Sequence, residues 1–324
     1  MMINTAAAEP LPGDVSARLA DPHAEVRRIA VMELPYGDED DILPLLLKAM
    51  ADTDPLVRAE AAKAAEGFEE PEAVTALLGL LHDASEEARR AAADTLSELK
   101  DDANGSLLLG KAGDADPFVK AAVLRALRPL RVAASLAPAL SALDHPSPQV
   151  RREATGVLGY LKNPGSLGPL TRVAMNDPDP EVRRIAVGAL GFASDVEVLP
   201  ALTHALSDTS WQVREEAAGT LGKLKLSGAV DHLIAAMADR YWQVRVRAAR
   251  SLGRLKAASA LPVLGAALGH EISNLRKEAA IALGEIGDQR AIPQLEAALK
   301  DPDPDVRKLA QLALKQIQMS NPAR

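Results

Sequence analysis

The chain repeats itself every 31 residues, and this periodicity constrains its fold more than any other feature. Anchored on Val213 in "WQVREEAAGTLGKL", the equivalent positions are Val26, Val57, Ala88, Val119, Val150, Val182, Val213, Val244, Leu275 and Val306. Every step is 31 residues except one of 32. The next residue is always basic: Arg27, Arg58, Arg89, Lys120, Arg151, Arg183, Arg214, Arg245, Arg276 and Arg307. Five residues before the anchor stands Asp21, Asp52, Asp83, Asp114, Asp177, Asp208, Asp239 or Asp301, with His145 and His270 in the remaining two units. Ten units thus span 12–318.

Each unit reads as two helices. In "VLPALTHALSD" (198–208) apolar residues recur at helical spacing, and in 210–224 they fall at 213, 217, 221 and 224, a single buried stripe. Asp54, Asp116, Ser147, Asp179, Ser210 and Asp303 stand where a side chain can cap the second helix. Pro55, Pro117, Pro148, Pro180 and Pro304 take its first position, where a missing N–H costs nothing. Pro44, Pro169, Pro200, Pro262 and Pro293 recur in or near the start of the first helix. Four residues after the anchor comes Ala30, Ala61, Ala92, Ala154, Ala186, Ala217, Ala248, Ala279 or Ala310, small enough for close helix contact. One such pair cannot bury its stripe alone, but stacking buries it against neighbours. The expected fold is therefore all-α: a right-handed α-solenoid of ten two-helix repeats over 12–318, its concave face lined by second helices. A disordered N-terminal tail over 1–11 and a C-terminal tail over 319–324 flank it.

Composition narrows the function. Aromatic residues are 2% of the chain, so Ala, Leu and Val must fill the core. The absence of cysteine excludes disulfides, thiolate metal sites and cysteine nucleophiles. Neither a signal peptide nor a membrane span is expected, which suggests a cytoplasmic protein. The formal net charge of −8 disfavours general nucleic-acid binding, which rests on phosphate neutralisation. Residues 1–162 hold 17 basic and 27 acidic side chains, net −10, while 163–324 hold 20 and 18, net +2. Acidic loops at 36–41 and 66–72 belong to the first part and serve solubility.

The recurring Asp-x4-Val-Arg-x2-Ala resembles HEAT repeats, specifically the short HEAT-like class named after phycobilisome lyases. The period of 31 is shorter than the ~40–47 of ordinary HEAT units. The resemblance implies that the Asp and Arg of the motif pair within and between repeats as a structural ladder. It cannot decide function, because one solenoid serves many activities.

Candidate chemistry is sparse. His23, His82, His145, His204, His232 and His270 place no two on one helix face at i, i+4. His270-Glu271 is similar to the His-Glu pairs of deoxyhypusine hydroxylase, but it stands alone, so no metal and no cofactor is expected. Glycines nine after the anchor (Gly159, Gly191, Gly222, Gly253, Gly284) read as close-packing or helix-end positions. Three further features point to a binding face. Gly156, Gly188 and Gly219 lie six after the anchor, with Tyr160 and Phe192 one turn on, which reads as a shallow trough of bare backbone. The stretch 240–256 carries Arg240, Arg245, Arg247, Arg250, Arg254 and Lys256 without an acid, and Arg247, Arg250 and Arg254 share a face. Trp211 and Trp242 take the position that other repeats give to proline, with Tyr241 beside them, and exposed Trp, Tyr and Arg are the residues of interface hot spots.

Three function classes follow. The leading one is a non-enzymatic adaptor, scaffold or assembly (maturation) factor, binding a protein partner through the concave face and rim of repeats 5–8. The partner would offer an acidic surface to repeat 8. The second is a bilin-lyase-like protein holding a tetrapyrrole or similar planar ligand in the trough. The third, nucleic-acid binding as in DNA glycosylases built on HEAT-like repeats, is disfavoured by the overall acidity.

Overall fold

The computed structural model describes residues 15–36, 42–193 and 196–320. The expected tail over 1–11 and most of the acidic loop at 36–41 lie outside them, as do the last four residues. Every regular element among the described residues is helical, and the α-helices fall into ten consecutive pairs. The chain is an α-solenoid that divides into two compact units, Met1–Ala139 and Leu140–Arg324. In the first unit the second helices Ala24–Glu33, Pro55–Ala64, Glu86–Leu96 and Pro117–Leu130 stack in sequence. In the second unit Pro148–Leu161, Pro180–Ala189, Trp211–Leu224, Trp242–Arg254, Ser273–Ile286 and Pro304–Ser320 do the same. In repeats 7 to 9 each packs as well against its own shorter first helix, Leu199–Ala205, Val230–Ala236 or Leu261–Ala267.

The periodic residues account for this stacking. The anchor side chains from Val57 to Val306 are fully or almost fully buried, and so are the alanines four positions on. Val26, in the first described repeat, is only half-buried. The expected caps form where the residue is aspartate: Asp54 accepts from the Leu56 and Val57 N–H, and Asp179 from Glu181 and Val182. Ser147 and Ser210 do not cap with their side chains, and the Ser210 hydroxyl instead turns to Gln212 Oε1 at 2.7 Å.

The implied ladder is present, and six of its steps share one geometry. Arg214 donates from Nη1 to the Asp208 carbonyl of its own repeat at 2.8 Å, and from Nε and Nη2 to both Asp239 oxygens of the next at 2.6 and 3.0 Å. Arg27–Asp52, Arg58–Asp83, Arg151–Asp177, Arg183–Asp208 and Arg276–Asp301 form the same bidentate pair. One carboxylate oxygen also accepts the N–H two residues ahead, as Asp239 does from Tyr241, which fixes the turn into the second helix. Arg89 departs from the pattern. It pairs with Asp116 and lies 4.5 Å over the Phe118 ring, while Asp114 takes His82.

Close helix approach explains Gly159, Gly222, Gly253 and Gly284 among the glycines nine after the anchor. A Cβ on Gly222 would lie 2.2 Å from Ser251 Oγ and 2.8 Å from Ser251 Cα. On Gly253 and Gly284 it would lie 2.8 and 2.9 Å from the Cα of Ala282 and Ala313. Second helices in repeats 4, 5, 7 and 9 end on a left-handed residue: Arg131, Lys162, Lys225 and Gly287. Only one of these is the glycine that such a cap favours, so the sequence conceals the others.

Two stability predictions follow from this packing. Gly222→Ala forces a methyl against backbone, and Ser251 is held by its hydrogen bond to the Ala218 carbonyl, so it cannot turn away. Overpacking of about 1–3 kcal/mol outweighs the helix-propensity gain of about 1 kcal/mol, and the melting temperature falls. Gly219→Ala, three residues earlier, meets only the flexible Arg247 side chain, with Cδ at 3.1 Å, and should leave stability unchanged or raised. Thermal melts should show a fall for Gly222→Ala and none for Gly219→Ala.

Acid should loosen the ladder. Hydrogen bonds from Arg27, Arg58 and Arg276 hold the Asp52, Asp83 and Asp301 carboxyls below their ordinary value, against the opposing effect of burial. The unfolded chain therefore takes up protons first as pH falls. These pairs contribute fully above the unfolded value, and their contribution is lost as pH drops through it toward the folded one. The melting temperature should hold steady down to about pH 5 and fall steeply below about pH 4.

Candidate partner-binding face

Trp211 and Trp242 each start a second helix, where other repeats place proline. The two rings have different surroundings. Trp211 is half-buried and stacks on Tyr241 across the step from repeat 7 to repeat 8, with centroids 5.5 Å apart and planes 19° apart. Tyr241 also carries the Arg240 guanidinium 4.9 Å and that of Arg214 5.6 Å from its ring centre. Trp211 and Tyr241 are thus packing partners, not the freely exposed rings that the sequence suggested. The stack sits on the ladder itself, because Arg214 and Asp239 are a ladder pair and the Tyr241 N–H donates to Asp239. The Asp239 carboxylate raises the Arg214 guanidinium above its ordinary value, with a smaller contribution from Tyr241. Trp242 is different: it is 36% exposed.

The face three, six and ten residues after the anchor corrects two expectations. Gly156 is buried, and Gly188 and Gly219 are half-buried beneath side chains of the following repeat. A Cβ on Gly188 would lie 2.9 Å from Glu216 Oε1, and one on Gly219 would meet Arg247. At these two positions the glycines make room for long charged side chains, so the expected trough of bare backbone is filled. Of the two flanking rings, Tyr160 is 46% exposed and Phe192 is half-buried in the turn Leu190–Phe192.

The basic helix is not a free positive patch either. Arg247 Nη2 donates to Glu215 Oε1 at 3.1 Å in the preceding repeat. Arg250 makes a bidentate pair with Glu278 of the following repeat at 2.7 and 2.9 Å, which raises its guanidinium above the ordinary value. Arg184 joins Glu181 and Glu216 in the same band. Glu215, Glu216 and Glu278 escaped the sequence reading because they lie 28 to 32 residues from their partners, one repeat away. A search for opposite charges at one-repeat offsets would have found them. Arg240 and Arg254 remain exposed, and neither forms an ion pair among the described residues.

The site therefore consists of an exposed Trp242, exposed Arg240 and Arg254, and a neutralised band of paired charges between repeats 6 and 9. No group of three or more His, Asp or Glu among the described residues is placed to hold a metal. No described helix is long and apolar enough to cross a membrane.

Comparison with known proteins agrees with the architecture. No curated protein sequence matches the chain. Among solved structures it is similar to Kap95p, in a structure describing Kap95p binding to RanGDP, with a TM-score of 0.64 at 14% identity. That match covers 94% of this chain and 51% of Kap95p, so the chain spans about half the length of that neighbour. It is also similar to the E. coli protein YibA (TM-score 0.56, 20% identity, 92% and 98% of the two chains). An engineered protein matches with a TM-score of 0.53 at 21% identity, over 94% of this chain and 98% of its own. At these identities the likeness shows the fold alone. The model of the family described as HEAT repeats matches residues 14–97, 133–221, 169–242 and 230–315, and the chain belongs to the HEAT-repeat family.

Proposed function

We propose that the protein is a non-enzymatic scaffold or assembly factor that binds a protein partner on the second helices around repeats 7 and 8. The observation that carries this reading is the exposed Trp242 at the start of a second helix, next to exposed Arg240 and on the same helix as exposed Arg254. Large rings and arginines of this kind anchor interfaces. The surrounding charge pairs leave little net field, so an approaching surface loses few solvated charges. An acidic partner surface facing repeat 8 suits the two unpaired arginines. Kap95p, which shares the solenoid, is described in complex with Ran and with Nup1, and this supports a protein-binding use of the fold. A planar tetrapyrrole fits less well, because Glu216 and Arg247 cover the glycines that were to receive it.

The aromatic residues separate binding from stability. Trp242→Ala should weaken partner binding by on the order of 2 kcal/mol while the melting temperature stays near wild type. Trp211→Ala should instead lower stability by about 1 kcal/mol, because it removes the stack on Tyr241. Arg254→Glu should slow association and reduce its salt dependence. Affinity purification with quantitative mass spectrometry, followed by titration of the captured partner against each variant, checks all three. Full affinity in folded Trp242→Ala protein would place the interface elsewhere.

A further inference from the structure

The ladder is broken at one step inside the second unit, and the break lies at a cavity. At the neighbouring steps the aspartate supplies acceptors for three donors: the arginine Nε and Nη2 of the preceding repeat, and the backbone N–H two residues ahead. His270 replaces that aspartate opposite Arg245. Its Nδ1 takes the Ile272 N–H at 3.0 Å, so the ring reproduces the turn. It cannot reproduce the carboxylate. A neutral imidazole has one lone pair and one N–H. With Nδ1 accepting, the proton sits on Nε2, which lies 3.2 Å from Arg245 Nη2, another donor. Two donors therefore face each other. Arg245 Nη1 keeps its bond to the Asp239 carbonyl at 2.8 Å, but Arg245 Nε is buried without any hydrogen-bond partner.

A buried guanidinium N–H without an acceptor costs more than an ordinary missing hydrogen bond. The step is short of one anion. Beside it, between the first helices Val230–Ala236 and Leu261–Ala267, opens a cavity of about 310 Å³ lined by Ile234, Met237, Val263 and Ala266, with Arg245 and His270 among its walls. Its size is at the lower end of small-molecule sites, and an apolar lining with few polar groups is the usual composition of such sites.

We propose that this cavity binds a small monocarboxylate with a short apolar body. The carboxylate supplies the missing negative charge, pairing with the Arg245 guanidinium and accepting from His270 Nε2–H, and the hydrocarbon lies against Ile234, Met237 and Val263. A phosphate suits the site less well: apart from Arg245 and His270, the walls offer its remaining oxygens only apolar side chains. The cavity shares no lining residue with the proposed partner-binding face.

The test uses the full chain with hexanoate as probe and hexan-1-ol as the uncharged control, read by calorimetric titration and thermal melts. Hexanoate should bind saturably and raise the melting temperature, hexan-1-ol should bind at least tenfold more weakly, and the His270 Nε2 resonance should shift on hexanoate addition. His270→Asp restores the ladder carboxylate. It should melt higher than wild type without any ligand and lose at least tenfold in hexanoate affinity. Equal binding of hexanoate and hexan-1-ol, undiminished hexanoate binding by folded His270→Asp, or no binding to the wild type would each overturn the proposal.

Discussion

The structure depends on one interaction, the bidentate bridge that six of the arginines after the anchors make to the aspartate of the next repeat. Apolar burial alone would let one repeat slide over another, because a stripe of Ala, Leu and Val offers little directional preference. The guanidinium fork fixes that register. It grips a carboxylate with two parallel bonds and simultaneously holds a carbonyl in the turn between its own two helices. The same carboxylate fixes the turn into its own second helix. One ion pair thus sets the helix-pair geometry and the repeat-to-repeat step together, and the pairs are shielded enough for this to matter, with Arg214 and Asp239 side chains 10% and 11% exposed.

The functional features lie where this bridge is decorated or interrupted. At repeats 7 and 8 the Arg214–Asp239 bridge carries the Trp211–Tyr241 stack, so the aromatic cluster first serves the frame. That leaves Trp242 as the ring available to a partner. One step further, the aspartate is missing, and Arg245 retains a buried donor beside an apolar cavity. A repeat protein can hold such departures locally, because each unit contacts only its neighbours.

Much of the fold was legible because the period is short and strict. The valine anchors and the alanines four positions on follow from reading positions 31 residues apart, and the resemblance that they carried implied the Asp–Arg ladder and led to HEAT repeats, while the short lyase class is not shown. What escaped depends on side chains reaching across repeats. Gly188 and Gly219 looked like bare backbone because nothing local indicates that Glu216 and Arg247 lie over them. Arg247 and Arg250 looked unpaired because Glu215 and Glu278 belong to other units. Trp211 looked exposed because its partner, Tyr241, sits in the next turn along the stack. The left-handed helix ends at Arg131, Lys162 and Lys225 gave no signal, since a basic residue at a helix C-terminus is unremarkable in sequence.

The claim that the inter-repeat bridge sets the stack is tested most directly by a double-mutant cycle on Arg183 and Asp208, a pair that carries no aromatic stack and lines no proposed site. Chemical unfolding of wild type, Arg183→Ala, Asp208→Ala and the double variant isolates their coupling. Each single variant strands a shielded charge, so each should lose on the order of 3 kcal/mol, and the double variant should lose far less than the sum. A coupling of about 1–3 kcal/mol is the predicted result. Strictly additive losses, or single variants as stable as wild type, would contradict the account and leave apolar burial as the sole determinant of the stack.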